Sequence, residues 1–392
     1  MRAAAKRRSL RRHVAAAGAV GCAVCALLAQ SAELLESLYA QRISPTLSGA
    51  LAGISDRVAI SLAEVVLAAG ALFVAVAICA VVRLALGGAA RRWDLPAVAR
   101  RCGATTVAAA SLLAASFLTL WGLNYQRAGL GERLGWPPLT GTGEAALAAT
   151  AETLVAATNE AYEDFSGSLD LGAPTASPYP LTALDGAIGR GLLKVAPLFG
   201  LPRAHGAAVH RAKLLGASEL LSYLGLGGFF FPWTAEANVN FRLPAVSLPP
   251  TIGHEKAHQL GFAREDEASM VGHVACLASG NRYARYAAFL AMQRSVLAAL
   301  PARDSDLVRR LVAGRLPGVQ RDVDATIAHW RRYAGAAQTA ARAVNDGYLK
   351  MNRDSAGVAS YGRVADLIAR FAVRYGGAVE VPREHRGAVS RP

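Results

Sequence analysis

The chain has 392 residues, 53% of them apolar and only 18% charged, with a mean hydropathy of +0.28. That balance excludes a disordered chain and argues against a wholly soluble one, and the length allows a membrane region plus one or two compact domains. The net charge of +14 invites nucleic acid, but residues 1–123 hold 13 Lys/Arg against 5 Asp/Glu, and the other 269 hold 29 against 23, scattered and without aromatic interleaving. Nucleic acid is therefore excluded as the main partner, and the lipid bilayer is expected in its place.

Three apolar runs open the chain: Val14 to Ala29, Val65 to Val82 and Ala104 to Gly122. Each approaches the length that crosses a bilayer core. Arg2, Lys6, Arg7, Arg8, Arg11 and Arg12 precede the first run, and Arg83, Arg91, Arg92, Arg100 and Arg101 separate the second from the third. The intervening loop has only Arg42 and Arg57, balanced by Glu33, Glu36 and Asp56. The positive-inside rule then predicts a multi-pass protein of the cell membrane. Its amino terminus and second loop are cytoplasmic, and everything after residue 123 is extracytoplasmic. A cleaved signal peptide over the first run is the rival reading, and it leaves the later topology unchanged.

Residues 124–142, rich in Gly and Pro, read as an irregular link. Helical patterns follow over Glu144 to Phe165, Leu181 to Val195 (stopped by Pro197) and Ala207 to Tyr223, with a Gly/Ser/Pro loop at 166–180. The run Phe229-Phe230-Phe231-Pro232-Trp233-Thr234-Ala235-Glu236-Ala237-Asn238-Val239-Asn240 ends in extended character. Glu236, Asn238 and Asn240 alternate there, so they share one face of a strand. They are expected to contact substrate along an exposed strand edge or to orient metal ligands, with a polar loop under an aromatic cluster as the alternative. The phenylalanines and Trp233 also suit the membrane interface.

Leu248-Pro-Pro-Thr251 then predicts a helix start at Thr251, and Gly261-Phe262 predicts its end. Between them stands His254-Glu255-Lys256-Ala257-His258, the H-E-x-x-H spacing of zinc hydrolases. On a helix, residues i and i+4 share a face, so His254 and His258 can hold one Zn2+ while Glu255 serves as general base. Two histidines on an ordinary surface helix are the plain alternative. A zinc site needs a third ligand, and Arg264-Glu265-Asp266-Glu267-Ala268-Ser269 opens the next helix. Glu265 shares a stripe with Ala268, Gly272 and Cys276, small residues that permit close approach. Glu265 is therefore the expected ligand, with Glu267 in reserve.

Beyond the motif, helical patterns cover Arg282 to Leu300, Val319 to Leu349 and Tyr361 to Tyr375, and residues 378–392 form a polar tail. Tyr348 and Tyr361 are candidate oxyanion donors, though ordinary packing explains them as well. His273 is expected to pack or hydrogen-bond rather than ligate. Of the five cysteines, only Cys276 lies after residue 123, so no disulfide framework is available there.

Several segments together resemble the bacterial membrane-protein family known as domain of unknown function 3810. They are Trp121-Gly122-Leu123-Asn124-Tyr125-x-Arg127, the 231–240 run, His254 to Ser269, and Tyr348-Leu349-Lys350 with Tyr361-Gly362-Arg363. The resemblance runs from about the second apolar segment to residue 370. It implies a three-span anchor carrying a gluzincin-like domain, in which two histidines and a glutamate bind zinc. In membrane gluzincins the ligand glutamate stands three residues before an alanine, as Glu265 does before Ala268. Lys256 occupies a variable position, and Trp233-Thr234-Ala235 stands where Phe-Thr-Gly is more usual.

The expected architecture is mainly α. Residues 1–123 form three transmembrane helices, and 124–377 form a predominantly helical, zincin-like extracytoplasmic domain with a little strand beside the metal helix. The expected function is a membrane-anchored zinc metallopeptidase acting on a peptide or protein substrate outside the cytoplasmic membrane. The alternatives are a non-enzymatic zinc-stabilised sensor or scaffold, and a zinc amidase acting on cell-wall material.

Overall fold

The computed structural model describes residues 2–86, 95–139, 143–167, 172–201, 210–300, 305–352, 363–377 and 379. The sequence expectations for Tyr361, for residues 207–209 and for nearly all of the 378–392 tail lie outside them. The described chain is mainly helical, and three of its helices are long and apolar enough to cross a membrane: Ser9–Leu28, Leu62–Arg83 and Cys102–Leu120.

The first span lies within α1 (Arg2–Leu28). A short helix α2 (Ala32–Leu34), a wide helical turn (Leu35–Ile43) and α3 (Ser44–Ser55) follow as a collar before α4 (Leu62–Leu86) and α5 (Leu95–Leu120). Span one packs on span three through small residues: a Cβ on Gly21 would stand 2.9 Å from that of Ala115, and Cys25 Sγ lies 3.5 Å from Thr119 Oγ1. The apolar window of α4 buries nothing against protein and leaves Leu72, Phe73 and Ile78 exposed, as a helix facing lipid would.

The remaining chain is one helical body around a small sheet. Its elements are α6 (Leu130–Arg133), α7 (Gly143–Ser166), α8 (Leu181–Val195), β1 (Ala212–Leu214), α9 (Ser218–Leu224), β2 (Gly228–Phe231) and β3 (Glu236–Val239). Then come α10 (Leu248–Gln259), α11 (Glu265–Ala278), α12 (Arg282–Ala299), α13 (Ser305–Ala313), α14 (Pro317–Tyr333), α15 (Ala336–Met351) and α16 (Val364–Arg374). Helix α11 is the central post, buried along nearly its whole length against α8, α10, α12 and α16. Tyr283, Tyr286 and Phe289 of α12 fill the core beside it, each worth about 1.5–3 kcal/mol of burial. The buried carboxylate of Asp322 on α14 fastens the neighbouring loop, accepting from Thr175 N at 2.6 Å, Thr175 Oγ1 at 2.9 Å and Tyr286 Oη at 2.7 Å.

Several sequence expectations need correction. Ala207 to Tyr223 does not continue as a helix: residues 212–214 form β1, which pairs parallel with β3. Buried Lys213 explains the strand, because its ammonium finds Ser55 O at 2.9 Å, Val58 O, and Glu236 at 3.9 Å. Val319 to Leu349 is two helices, broken at Ala334-Gly335. Helix α10 starts at Leu248 rather than Thr251, with its prolines in the first turn, where no amide hydrogen is required. Thr251 Oγ1 instead donates back to Ser247 O at 2.7 Å.

The collar is tied to the helical body at every level. Arg127 grips both oxygens of Glu36, at 2.9 and 2.7 Å, and donates to Gly261 O at 3.2 Å. Ser48 donates to Gln259 O at 3.1 Å and Ser55 to Thr234 O at 3.1 Å. The loop between spans one and two therefore packs on the described helical body that follows span three.

Candidate metal centre

The centre is assembled where α10 crosses α11. A Cβ on Gly253 would stand 2.6 Å from Gly272 O, so this crossing exists only because both residues are glycine. Helix α10 ends in a Schellman cap: Gly261 adopts φ +87°, its amide donates to His258 O at 2.9 Å, and Phe262 N donates to Ala257 O at 3.3 Å. The cap turns the Phe262 carbonyl onto the ring of His258, 2.6 Å from Nδ1. A carbonyl only accepts, so Nδ1 carries the proton and Nε2 is left with a bare lone pair. His254 Nδ1 is held by Ser269 Oγ at 3.0 Å, one turn along α11 from Glu265.

Three ligand-type atoms converge as a result. His254 Nε2 lies 3.1 Å from His258 Nε2 and 3.1 Å from Glu265 Oε2, and His258 Nε2 lies 3.7 Å from that oxygen. Ligands on a tetrahedral zinc at about 2.0–2.1 Å stand about 3.3 Å apart, so these separations fit such an ion. Three electron-rich atoms so close together in a buried site demand a cation between them, a proton or a metal. Burial resists charge on His258, but the Glu265 carboxylate outweighs it and lifts the imidazole above its ordinary range. Burial likewise opposes ionisation of Glu265, yet the two imidazoles of His254 and His258 beside it hold its carboxyl far below the usual carboxylate range.

Glu255 is placed differently. Its carboxylate is buried and Oε2 has no hydrogen-bond partner. Burial pushes its pKa up to about 7, against the pull of His254 and His258 and with a further push from Glu265. A Cβ on Gly228 would stand 2.7 Å from Glu255 Oε1, so β2 approaches this carboxylate through a glycine. Beside them opens a cavity of about 330 Å³, lined among others by Gly228, Thr251, His254, Glu255, His273 and Arg294.

The neighbouring sequence candidates have other roles. Glu267 lies outside the converging cluster: it accepts from Leu130 N at 2.8 Å and Arg133 at 3.2 Å. Asp266 pairs with Arg363 at 3.1 Å, so three consecutive acids serve three directions. Glu236, Asn238 and Asn240 do not line the cavity, and β3, which carries the first two, is the central strand of the order β1-β3-β2 rather than an edge. Glu236 instead caps α4, accepting from Leu62 N at 3.1 Å and Ala63 N at 2.7 Å. Asn238 accepts from Ser61 at 2.7 Å, and Asn240 donates to Ser222 at 3.0 Å and to Leu226 O at 3.1 Å. Among the described strands, the one beside the site with a free edge is β2. His273 stands clear of the three converging atoms, and its imidazole, pushed down to about 3 chiefly by burial, is neutral.

The end of the centre nearest the long apolar helices is aromatic. Trp121, just past span three, meets the His258 ring edge-on with centroids 5.4 Å apart, and Phe230 lies 6.4 Å from it. Tyr348 packs into the same cluster, its hydroxyl 3.5 Å from that of Tyr125. Trp233 Nε1 donates to Ser116 Oγ at 3.1 Å, inside the third span. Sequence reasoning missed Ser269, the Phe262 carbonyl, Trp121 and Arg294. Only Ser269 carried a local signal, standing four residues after Glu265 on the same helix face.

No curated protein and no solved structure matches this chain. A family profile does match, over residues 39–369, so it takes in most of the collar as well as spans two and three and the whole of the centre. The chain belongs to that family, whose description is "Protein of unknown function (DUF3810)".

Proposed function

We propose that this protein is a membrane-anchored zinc-dependent peptidase, with a gluzincin-like site on the extracytoplasmic side of the membrane. The observation that carries the proposal is the pairing of two features: three converging ligand-type atoms from His254, His258 and Glu265, and beside them a buried carboxylate, Glu255, whose Oε2 has no hydrogen-bond partner. A purely structural metal site has no use for the second feature. Among the described residues, no fourth histidine, cysteine or acid joins the cluster, which leaves a coordination position for substrate chemistry.

When bound, zinc supplies Lewis acidity that polarises a peptide carbonyl and acidifies the attacking water. His254 and His258 present Nε2 to the ion because Ser269 and the Phe262 carbonyl hold their other nitrogens. Glu255 accepts the proton of the attacking water and passes it to the leaving amine. A pKa near neutrality suits a group that must both take and return a proton. The edge of β2 offers backbone groups to an extended substrate. The contacts of Trp121, just past span three, with His258 and of Trp233 with Ser116 inside that span support cleavage close to the bilayer. The extracytoplasmic assignment rests on the arginines that flank the spans.

The test uses full-length protein in lipid nanodiscs. Elemental analysis should find one zinc per chain, to within about 20%. Glu255→Gln should keep that zinc and lose cleavage of a peptide library read by mass spectrometry. Retained cleavage in Glu255→Gln, or a wild-type protein that binds no zinc, overturns the reading.

A further inference from the structure

Arg294 lies on α12 and lines the same cavity as His254 and Glu255. It is half-buried, and among the described residues it has no ion-pair or hydrogen-bond partner. Burial depresses its pKa, and among the described residues no acid counters that effect. The charge that Arg294 acts on is another cation, Arg315, whose own nitrogens are engaged by Gln293 at 2.7 Å and Gln320 at 3.0 Å. A desolvated guanidinium without a counterion is costly, and proteins keep such groups chiefly where a ligand supplies the missing charge.

The position of Arg294 in the cavity matters as much as its isolation. The charges that act on Glu255 are those of His254, His258 and Glu265; Arg294 is not among them. Both residues nevertheless line the one cavity, so a ligand that fills it meets the guanidinium and the carboxylate together. Two threonine hydroxyls along the wall are already engaged: Thr251 Oγ1 donates to Ser247 O and Thr326 Oγ1 to Asp322 O at 2.8 Å. His273 adds a neutral imidazole whose Nδ1 is buried and unpartnered. At about 330 Å³ the cavity is at the small end of ligand sites, so whatever Arg294 holds lies close to the bond being cleaved.

We infer that Arg294 is the specificity-determining residue of this cavity and selects peptides that carry a carboxylate near the scissile bond. The carboxylate is either a free chain end or an Asp or Glu side chain. Both offer the planar, two-oxygen partner that a guanidinium fork matches. The inference rests on the peptidase reading for its chemistry but not for its binding geometry, and the two fail separately.

The experiment therefore measures binding first. Zinc-loaded Glu255→Gln protein in nanodiscs is titrated calorimetrically with four short-peptide pools of matched sequence: free-acid termini, amidated termini, Asp/Glu-containing and Asn/Gln-containing. At least one anionic pool should bind about 100-fold more tightly than its neutral counterpart. Preference for the free-acid pool identifies a chain terminus, and preference for the Asp/Glu pool identifies a side chain. Adding Arg294→Gln should bring the anionic-to-neutral ratio close to one, while Arg294→Lys should keep part of the preference. Wild-type protein assayed for cleavage of the same pools should show the same ratio in kcat/KM. Equal binding of anionic and neutral pools, no binding of either, or a ratio unchanged by Arg294→Gln overturns the inference. If the preference in binding is present but no pool is cleaved, the peptidase reading fails and the anion site stands. Zinc content checks that each variant is folded, and the comparison of pools on unsubstituted Arg294 decides the matter if Arg294→Gln does not fold.

Discussion

Gly253 and Gly272 face each other where α10 crosses α11, so closely that a Cβ on Gly272 would stand 2.5 Å from the Gly253 carbonyl carbon and from His254 N. That contact sets the distance between the helix carrying both histidines and the helix carrying Glu265. Gly272→Ala should push the helices apart, costing about 1–3 kcal/mol as an overpacked core does. The displaced ligands should also weaken zinc by about 10- to 100-fold, the usual effect of disturbing groups that support a metal site. Thermal unfolding with and without chelator, together with zinc competition, measures both effects. Unchanged zinc affinity would show that the crossing does not set the site.

Glu265 and Glu267 share a helical turn but should behave oppositely when replaced. Glu265→Ala removes the oxygen that lies 3.1 Å from His254 Nε2, and zinc content should fall to a small fraction of one per chain. Glu267→Ala should keep its zinc but lose about 2–4 kcal/mol of stability, because Leu130 N and Arg133 are left without their carboxylate. Elemental analysis and denaturant unfolding of the two variants separate the roles. Zinc lost from both variants alike would contradict the assignment.

Much of the centre was legible in the sequence because its parts are local. His254 and His258 are one turn apart, the Gly261-Phe262 cap is three residues further on, and Glu265 opens the next helix. The small-residue stripe that nominated Glu265 corresponds to the Gly272 contact seen here. What sequence reasoning misplaced depends on distant partners. Glu236 and Asn238 looked like substrate contacts because they alternate on a strand. Their actual partners, Ala63 and Ser61, are 173 and 177 residues away and belong to the start of the second span. No periodicity reports such a pairing. The strand at 212–214 was hidden for the same reason: three residues become a strand only once β3 is beside them. Arg294 was passed over because an arginine within a helix ordinarily faces solvent.

Glu236 gives that contrast a measurable consequence. A residue contacting substrate would change turnover and leave the fold alone, whereas here Glu236 caps α4 and faces buried Lys213. Glu236→Ala should therefore lower stability by about 3–5 kcal/mol, since an uncompensated ammonium remains buried. The zinc stoichiometry of the folded fraction should not change. Denaturation in detergent, followed by tryptophan fluorescence, tests this. A stable Glu236→Ala protein with impaired peptide binding would restore the substrate role.

Ala235 and Ala237 are both buried alanines next to the capping glutamate, yet glycine should have different effects at the two positions. Ala235 has φ +51° and is the one described residue other than glycine with positive φ. Its carbonyl accepts from Gln259 Nε2 at 3.0 Å, one residue past His258, so the strained turn is fastened to the metal helix. At Ala235, relief of left-handed strain returns about 1–2 kcal/mol. Loss of the buried methyl costs about 0.8 kcal/mol, and the added freedom of the unfolded chain about 0.4–1 kcal/mol. These terms nearly cancel, so Ala235→Gly should leave stability within about 1 kcal/mol of wild type. Ala237, in the middle of the central strand, has no strain to relieve, so the same two costs act alone and Ala237→Gly should lose about 1–2 kcal/mol. Unfolding curves for both variants under one condition supply the comparison. An equal loss at the two positions would mean that the backbone at Ala235 is not held in the left-handed region, and that the Gln259 contact is made some other way.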